Sequence, residues 1–226
     1  YKFIVIKSLQ MENLTLIIPA KNEKNSLPRV LKEIEDYKLN KLIVMSKEDI
    51  ETYEAIKNLD CEILFQLGKG YGNAIIEGIN KTNTEFISIF YADGSTDPKY
   101  LNPMLNKIIN ENNDIVFGSR YEKNAGSYDD NIITRAGNFF FTIIGKLFFS
   151  LKISDILFTY IVAKKSVFEK IKLKCNDYRL CVEIPIKVKK FNISYTTYPC
   201  VERKRFADKK KVKAFSDGFA ILFYMI

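Results

Sequence analysis

EFISIFYADGSTDP, the stretch from Glu85 to Pro98, contains a strand, a polar turn and the start of a helix. Glu85–Phe90 is a short apolar run of the kind found in strands that are buried on both faces. The turn that follows contains Asp93 and Gly94, and Pro98 is suited to the first turn of a helix. The stretch therefore predicts one step from a buried strand to a helix.

The same step recurs on both sides of this stretch. Short apolar runs lie at Leu14–Pro19, Lys41–Met45, Cys61–Phe65 and Asp114–Phe117, and apolar residues at helical spacing separate them. Repeated alternation of strand and helix is typical of an open, mostly parallel sheet with helices on both faces. We therefore predict the α/β class with a Rossmann-like sheet. Ligands of such sheets bind outside the carboxyl ends of the strands.

The second half of the chain is less regular. It predicts an aromatic helix at about residues 131–151, a strand-like run at 156–163, a helix at 182–190 and a strand at 192–198. A basic segment, Arg203–Lys213, and an amphipathic helix follow. We predict one domain over residues 1–226, with 203–226 as the basic loop and C-terminal helix. Residues 1–12 are a candidate non-native extension, because Met11 could be the natural start.

The composition excludes several kinds of chemistry. The 226 residues carry a formal net charge of +8 and contain no histidine. A Ser-His-Asp triad, an imidazole zinc site and a histidine base are therefore excluded. The four cysteines, Cys61, Cys175, Cys181 and Cys200, have no CxxC spacing. We expect them to be reduced thiols, mostly in the core of a cytosolic protein.

Membrane contact has to be considered as well. No stretch reaches the roughly 18–20 uninterrupted apolar residues that span a bilayer, and the nearest, Phe139–Leu151, contains Lys146. Its aromatic residues could lie at a membrane interface, although core packing or a dimer contact is the commoner reason for such a stripe. The N-terminus lacks the cleavage site of a signal peptide. We expect a cytoplasmic protein, with peripheral contact at the cytoplasmic face of a membrane as the alternative.

Asp93 is the strongest single candidate for a functional residue. It stands at the predicted end of a buried strand, before Gly94 and the hydroxyls of Ser95 and Thr96. A carboxylate in this position can hold Mg²⁺ or Mn²⁺, which prefer oxygen ligands and can bridge a diphosphate. The alternative is a carboxylate that caps the next helix, a role that Asp97 could also take.

Five stretches together point to a family. They are LIIPAKNE (Leu16–Glu23), GKGYGNAIIEGI (Gly68–Ile79), YADGSTDP (Tyr91–Pro98), GSRY (Gly118–Tyr121) and KVKAFSDG (Lys211–Gly218). In this order they resemble the family 2 glycosyltransferases of the GT-A fold, in particular the branch that contains dolichyl- and polyprenyl-phosphate sugar transferases. Each stretch alone is a weak signal, and the order and spacing of all five make the resemblance specific.

The resemblance implies three segments that hold the donor, a nucleotide sugar. They are the turn after the first strand, the glycine-rich turn, and the basic loop that would close over the diphosphate. The implied donor-binding residues are Pro19, Ala20, Asn22, Glu23, Lys69, Arg203, Arg205 and Lys211. For Lys69 and for the basic loop, the alternative is a solvated charge without a ligand.

The resemblance also implies a metal site. Asp93, with Ser95 beside it, would hold Mg²⁺ or Mn²⁺ in the place of the family's D-x-D motif. This chain departs from the motif at its first position, which is Tyr91. The acidic pair that the family often has after the second strand is likewise replaced, by the sequence Ser46–Asp49 (SKED).

Four further positions correspond to residues near the reaction centre of the family. Arg120 and Arg135 match positions that hold the acceptor phosphate, and a forked, always charged guanidinium suits that role. Asp155 and Glu183 match acidic positions. We therefore expect Asp93, Arg120, Asp155 and Glu183 to be catalytic, while Arg135 and Glu183 have structural alternatives as a surface residue and a salt-bridged residue.

The implied reaction is an inverting transfer of a sugar to a polyprenyl or dolichyl phosphate. Such an acceptor is already an anionic nucleophile, so no strong base is needed. With a sugar hydroxyl as acceptor, in polysaccharide or glycolipid synthesis, Asp155 or Glu183 would take the proton. The alternative from another class is a degenerate, non-catalytic nucleotide-sugar-binding module. We expect no nucleic-acid partner, because no known binding motif accompanies the basic residues.

Overall fold

The computed structural model describes residues 11–207 and 214–226. Within them, a central sheet of seven strands is covered by helices on both faces, which confirms the predicted α/β class. The strands are β1 (Leu14–Ala20), β2 (Asn40–Met45), β3 (Glu62–Phe65), β4 (Phe86–Ile89), β5 (Ile115–Ser119), β6 (Gly126–Ser127), β7 (Ile161–Lys164), β8 (Tyr195–Pro199) and β9 (Val201–Glu202). The α-helices are α1 (Leu27–Glu33), α2 (Ile50–Ile56), α3 (Tyr71–Lys81), α4 (Leu101–Asn110), α5 (Ile132–Phe149), α6 (Lys165–Ile171), α7 (Leu180–Lys190) and α8 (Ala214–Met225).

The strand order brings distant parts of the chain to one edge of the sheet. The order is β3-β2-β1-β4-β7-β5-β8, and every pair is parallel except those of β7, which runs antiparallel to β4 and β5. Ile161, the first residue of β7, pairs with Ile89 at the end of β4 and with Phe117 in β5. The loop before β7 therefore lies at the carboxyl edge of the parallel strands. A small parallel pair, β6 and β9, is formed by the segments that follow β5 and β8.

Two apolar cores enclose the sheet, which explains why its central strands show little alternation of polar and apolar residues. In β1, Leu16 and Ile18 face the core that packs against α1, α2 and α4, whereas Ile17 faces the core that packs against α3 and α5–α8. The four cysteines are unpaired, and three of them are buried, as expected from the sequence.

The boundaries differ from the prediction where apolar residues lie in a loop. The run at 156–163 was expected to be a strand, but β7 begins only at Ile161. Ile156, Phe158 and Tyr160 are nonetheless at most 3% exposed, because the loop before β7 packs into the core. Apolar composition there reflects burial rather than strand pairing.

Helix α3 lies so close to the sheet that Gly78 has no room for a side chain. A methyl group at Gly78 would lie 2.6 Å from Cγ2 of Ile17 and 3.1 Å from Cγ2 of Val44. Gly137, also in a helix, has no atom within 4 Å of the same position. The two glycines therefore make a matched pair.

We expect Gly78→Ala to lower the free energy of unfolding by about 1–3 kcal/mol, because overpacking against the sheet outweighs the gain in helix propensity. Gly137→Ala should raise it by about 0.5–1 kcal/mol, because only the propensity changes. Urea unfolding of both variants measures the difference. Equal effects of the two substitutions would contradict the close packing of α3.

Candidate active site

Asp93 lies beyond the end of β4 and is 8% exposed. Its Oδ1 accepts hydrogen bonds from the backbone N–H of Ser95 at 2.9 Å and from the Ser95 hydroxyl at 2.7 Å. The turn needs Gly94, whose φ of 82° is strained for other residues. Oδ2 of Asp93 forms an ion pair of 2.7 Å with Nη1 of Arg205. One carboxylate oxygen is thus fixed by the turn, and the other faces a cation.

The start of the basic segment runs alongside this turn. The backbone N–H of Arg203 donates to the carbonyl of Ser95 at 2.8 Å, and that of Phe206 donates to the carbonyl of Asp93 at 2.9 Å. The Arg203 side chain donates to the Thr96 carbonyl at 2.7 Å and pairs with Glu33 of α1, with Nη2 and Oε2 2.9 Å apart. These contacts bring the described part of the basic loop onto the Asp93 turn.

Phe206 anchors the same segment through its ring. The guanidinium of Arg29 in α1 lies 4.4 Å from the ring centroid and that of Arg203 lies 5.4 Å from it. Such cation–π contacts stabilise a partly buried aromatic side chain. Lys211, the third basic residue predicted to bind the donor, lies outside the described residues.

Arg205 is shared between two carboxylates. In addition to the contact with Asp93, its Nε and Nη2 atoms donate to Oδ2 of Asp129 at 3.2 and 3.1 Å. Burial works against the charged guanidinium, but the neighbouring carboxylates of Asp93 and Asp129 raise the pKa of Arg205 above its usual value. Arg205 is therefore a permanent positive charge in contact with the candidate metal ligand.

Arg120 and Asp155 are brought together, as partners of each other. Nε of Arg120 donates to Oδ2 of Asp155 at 2.7 Å, and Nη2 donates to Oδ1 at 2.9 Å. Nη1 reaches Glu202 of β9 at 3.0 Å, and Asp130 lies 3.6 Å away. Burial opposes the charge, yet the Asp155 and Glu202 carboxylates raise the pKa of Arg120 well above its usual range.

Tyr91 shows what replaces the first aspartate of the D-x-D motif. Its hydroxyl lies 3.0 Å from Oγ1 of Thr159 and accepts the backbone N–H of Thr159 at 3.0 Å. The Tyr91 ring packs edge-on against Phe158. Burial raises the pKa of Tyr91 far above its usual value, so the side chain stays neutral. Tyr91 joins the end of β4 to the loop before β7 and supplies no charge to a metal.

The turn after β1 holds the residues predicted to line the nucleotide pocket. Pro19 and Ala20 end β1, and Asn22 follows with a positive φ of 52°. The backbone N–H of Asn22 donates to Oδ2 of Asp49 at 2.6 Å, and that of Glu23 donates to the Thr52 hydroxyl at 2.8 Å. Asp49 and Thr52 belong to the segment after β2. The turn is therefore tied to the start of α2.

Lys69 is exposed in the turn that precedes α3. The Glu77 carboxylate holds this turn by accepting the backbone N–H groups of Leu67 and Gly68 at 2.9–3.1 Å. Gly70, with a φ of 106°, leads into the helix. Lys69 therefore stands at a helix N-terminus, where an anion is favoured.

We call Asp93, Arg203 and Arg205 the Asp93 cluster. The described contacts of Glu183 and Arg135 are with residues outside this cluster. Glu183, in the first turn of α7, accepts the backbone N–H groups of Lys174 and Cys175 at 2.9 and 2.8 Å and pairs with Lys187. Arg135 is on the exposed side of α5, and its guanidinium lies 5.7 Å from the centroid of the Tyr121 ring. The catalytic role implied for Glu183 and the acceptor-phosphate role implied for Arg135 stay predictions.

The structure adds Asp129 and Glu202 to the site, which the sequence did not single out. Both contact the arginines, and Ser127 connects them: its hydroxyl donates to Glu202 at 2.5 Å and accepts the backbone N–H of Asp129 at 3.2 Å. Asp129 precedes a helix and Glu202 lies on a two-residue strand. Neither has a sequence signal beyond its charge.

The donor set at Asp93 fits a divalent cation. Oδ2 already faces the cationic Nη1 of Arg205, and hard oxygen donors suit Mg²⁺ and Mn²⁺. Among the described residues, no group of three or more Asp, Glu, Cys or His side chains could hold a metal by itself. A cation at Asp93 would therefore complete its coordination with water or with a bound diphosphate.

The model of one family, described as glycosyl transferase family 2, matches residues 15–172. The chain belongs to glycosyltransferase family 2. This confirms the family expected from the five sequence stretches. As a member of this family, the protein is an enzyme that takes a nucleotide sugar as donor.

Two curated relatives of this family 2 glycosyltransferase come from archaea. An uncharacterized protein of Methanocaldococcus jannaschii is 23% identical over 98% of this chain and 94% of its own length. The UDP-N-acetylglucosamine–dolichyl-phosphate N-acetylglucosaminyltransferase of Methanococcus voltae is 26% identical over 81% of this chain and 83% of its own length.

Solved structures share the fold of this family 2 glycosyltransferase. Mannosyl-3-phosphoglycerate synthase from Rubrobacter xylanophilus has a TM-score of 0.72 at 14% identity and covers 97% of this chain and 75% of its own. Glucosyl-3-phosphoglycerate synthase from Mycobacterium tuberculosis, in complex with Mn²⁺, UDP and glucosyl-3-phosphoglycerate, has a TM-score of 0.70 at 12% identity, covering 94% and 79% of the two chains. At these identities the likeness shows the GT-A fold.

A substitution of Glu183 can distinguish a structural role of its carboxylate from a catalytic one. Burial would raise its pKa, but Lys187 and the two backbone N–H groups lower it below its usual value. A carboxylate with a lowered pKa contributes stability at neutral pH and loses that contribution as the pH falls through the folded-state pKa.

We therefore expect Glu183→Gln to lower the free energy of unfolding by about 1–3 kcal/mol at pH 7, with the difference from wild type shrinking below about pH 4. Glu169→Gln, which removes an exposed partner of Lys165, should change it by less than about 0.5 kcal/mol. Urea unfolding between pH 3 and 7 measures both. A folded Glu183→Gln enzyme without activity would favour the catalytic role implied by the resemblance.

Proposed function

We propose that this glycosyltransferase transfers its sugar to a polyprenyl or dolichyl phosphate, with inversion at the anomeric carbon. The observation that carries the proposal is a broad apolar face on α5 and α8, and α5 begins directly after Asp129, Asp130 and the Asn131 cap. The Methanococcus voltae relative, named as acting on dolichyl phosphate, supports the same acceptor.

The donor side of the proposal uses the Asp93 cluster. Asp93 would bind Mg²⁺ or Mn²⁺, and the metal, when bound, neutralises charge on the departing nucleoside diphosphate. Arg203 and Arg205 lie on the turn that carries Asp93, so their positive charges are oriented before the reaction starts. Preorganised charges of this kind stabilise the developing anion without further rearrangement.

The acceptor side uses the start of α5. Asp129 and Asp130, which contact Arg205 and Arg120, immediately precede the Asn131 cap of this helix. Arg135 follows within the first turns, and among the described residues no carboxylate lies within ion-pairing distance of its guanidinium. Arg135 is therefore the cation best able to accept a lipid phosphate, whereas Arg120 is engaged by Asp155 and Glu202.

The apolar face extends from this point. On α5 it contains Phe139, Phe140, Ile143, Leu147 and Phe148, and on α8 it contains Phe215, Phe219 and Phe223, each between 38% and 80% exposed. The two helices pack against each other through their inner sides. By length and composition alone α5 could cross a membrane. Its mean hydropathy is 1.3, and 22% of it is buried in the protein.

Charge favours an anionic lipid surface as the occupant of this face. Lys146 and Lys152 are exposed on and just after α5, and the sequence immediately before α8 is rich in lysine. Each basic residue close to an anionic leaflet contributes about 1 kcal/mol to binding. A lipid surface would also present the polyprenyl phosphate beside Arg135.

A hydroxyl acceptor is the second candidate. It would need a carboxylate base, and the two residues implied for that role, Asp155 and Glu183, are paired with Arg120 and Lys187. Because an ion-paired carboxylate is a weaker base, the contacts favour an acceptor that is already anionic. The alternative of a non-catalytic binding module is set aside, because the chain belongs to a family of glycosyltransferases.

The test is a transfer assay with Mn²⁺, a panel of nucleotide sugars and either a polyprenyl phosphate or free saccharides as acceptor. We expect transfer to the lipid phosphate only, and a decrease of about 10²–10³-fold for Asp93→Asn. Asp114→Asn, which removes a partner of Lys164 at the other end of β5, is the matched control and should keep full activity. Arg135→Gln should raise KM for the lipid phosphate and leave KM for the donor unchanged. Transfer to saccharides alone would contradict the proposed acceptor.

A second prediction concerns the apolar face. Phe148→Ser combined with Phe219→Ser should lower the partition coefficient onto vesicles of phosphatidylglycerol and phosphatidylcholine, measured by sedimentation, by about a hundredfold or more, because each substitution loses roughly 1.5–3 kcal/mol of apolar burial in the bilayer. Leu67→Ser, at a residue that is 91% exposed in the turn before α3, is the control and should bind like wild type. Equal binding of all three proteins would show that the face does not contact lipid.

A further inference from the structure

The two carboxylates on Arg205 are not equivalent. Asp93 contacts Arg205 through one atom pair, Nη1 and Oδ2 at 2.7 Å. Asp129 accepts from Nε and Nη2, on the other side of the guanidinium, at 3.1–3.2 Å. Arg205 therefore has one contact that a competing cation could replace and a second set that is independent of Asp93.

We propose that Asp129 is a positioning residue for Arg205. It keeps Arg205 beside the Asp93 turn when a metal ion replaces the Arg205 guanidinium on Asp93. Nη1 would then turn from Asp93 to the donor diphosphate, while Nε and Nη2 stay on Asp129. This inference rests on the proposed binding of a metal–diphosphate pair at Asp93.

The physical reason is competition between two cations for one oxygen. A divalent ion on Oδ2 of Asp93 would lie within a few ångströms of Nη1 and would repel it. With Asp93 as its single partner, Arg205 would leave the cleft. A two-point, charge-assisted contact with Asp129 resists that displacement, because a forked guanidinium keeps its orientation when two of its donors remain bound. The negative diphosphate beside the metal is the natural new partner of the released Nη1.

Asp129 is itself held in place. Its backbone N–H donates to the hydroxyl of Ser127, and the same hydroxyl donates to Glu202, which pairs with Arg120. Its side chain is only 13% exposed. The backbone of Asp129 is thus tied through Ser127 to the buried Arg120 cluster, by a contact that does not involve Arg205.

The experiment is a double-mutant cycle read out by calorimetric binding of Mn²⁺ alone and of UDP or GDP at saturating Mn²⁺. Arg205→Gln should tighten Mn²⁺ binding about three- to tenfold, because the competing cation is gone, and should weaken nucleoside-diphosphate binding about tenfold. Asp129→Asn should weaken both, because Arg205 then depends on Asp93 alone. In the double variant, Asp129→Asn should no longer affect Mn²⁺ binding.

Arg205→Gln is expected to tighten Mn²⁺ binding and Asp129→Asn to weaken it. These opposite effects distinguish positioning of Arg205 from a general effect of charge or stability. Asp129→Glu should restore part of the nucleotide affinity, and Asp114→Asn should bind both ligands like wild type. If Asp129→Asn weakens Mn²⁺ binding equally in the wild-type and in the Arg205→Gln background, the inference is overturned while the proposed function stands. If wild type binds neither diphosphate in the presence of Mn²⁺, both are overturned.

Discussion

The ion pair between Asp93 and Arg205 joins two parts of the chain that are more than one hundred residues apart in sequence and fixes the geometry of the candidate site. Asp93 is delivered by the end of β4, and Arg205 by the segment after β9. Because the turn at Gly94 fixes one carboxylate oxygen with Ser95, the second oxygen has a defined direction. The backbone contacts of Arg203 and Phe206 with this turn follow the same alignment.

A second charged cluster is centred on Arg120. Its guanidinium meets Asp155 and Glu202, and burial makes each of these charges costly without the others. Burial raises the pKa of Glu202, whereas Arg120 lowers it, and the net shift is upward. This cluster contacts Ser127, which leads to Asp129 and then to Arg205. The two arginines are therefore held by one connected set of carboxylates.

The apolar face of α5 and α8 lies next to this charged site along the chain. The inner residues of the two helices, such as Phe141 and Ile221, belong to the core, and a side chain at Gly218 would lie 4.0 Å from the Phe141 ring. The outer residues are mainly phenylalanine. Since α5 begins directly after Asp129 and Asp130, the site and the apolar face share a helix. A charged candidate site beside an apolar surface suits the proposed acceptor, which has a phosphate and a long hydrocarbon chain.

Most of the sheet could be predicted from the sequence, since strands buried on both faces leave unbroken apolar runs. Leu14–Pro19 and Glu85–Phe90 were recognised in this way, and the Asp93-Gly94 turn marked where a ligand site would begin. Asp93 could be named because it stands at a strand end, whereas Arg203 and Arg205 were named because the resemblance pointed to the basic loop of the family. The direction of β7 could not be predicted, because apolar runs carry no information on strand orientation. For the same reason the loop of Phe158 and Thr159 was not expected at the cleft.

By itself, then, the sequence determined the alternation of strands and helices, the absence of histidine chemistry and the place of Asp93 at the end of a buried strand. All of these are local properties, set by hydrophobic pattern and residue type. Only the tertiary structure decided the partners of the charges: Arg205 on Asp93 and Asp129, Arg120 on Asp155 and Glu202, and Tyr91 on Thr159. Ion pairs between distant segments depend on which strand ends share an edge, and long-range strand pairing sets that edge.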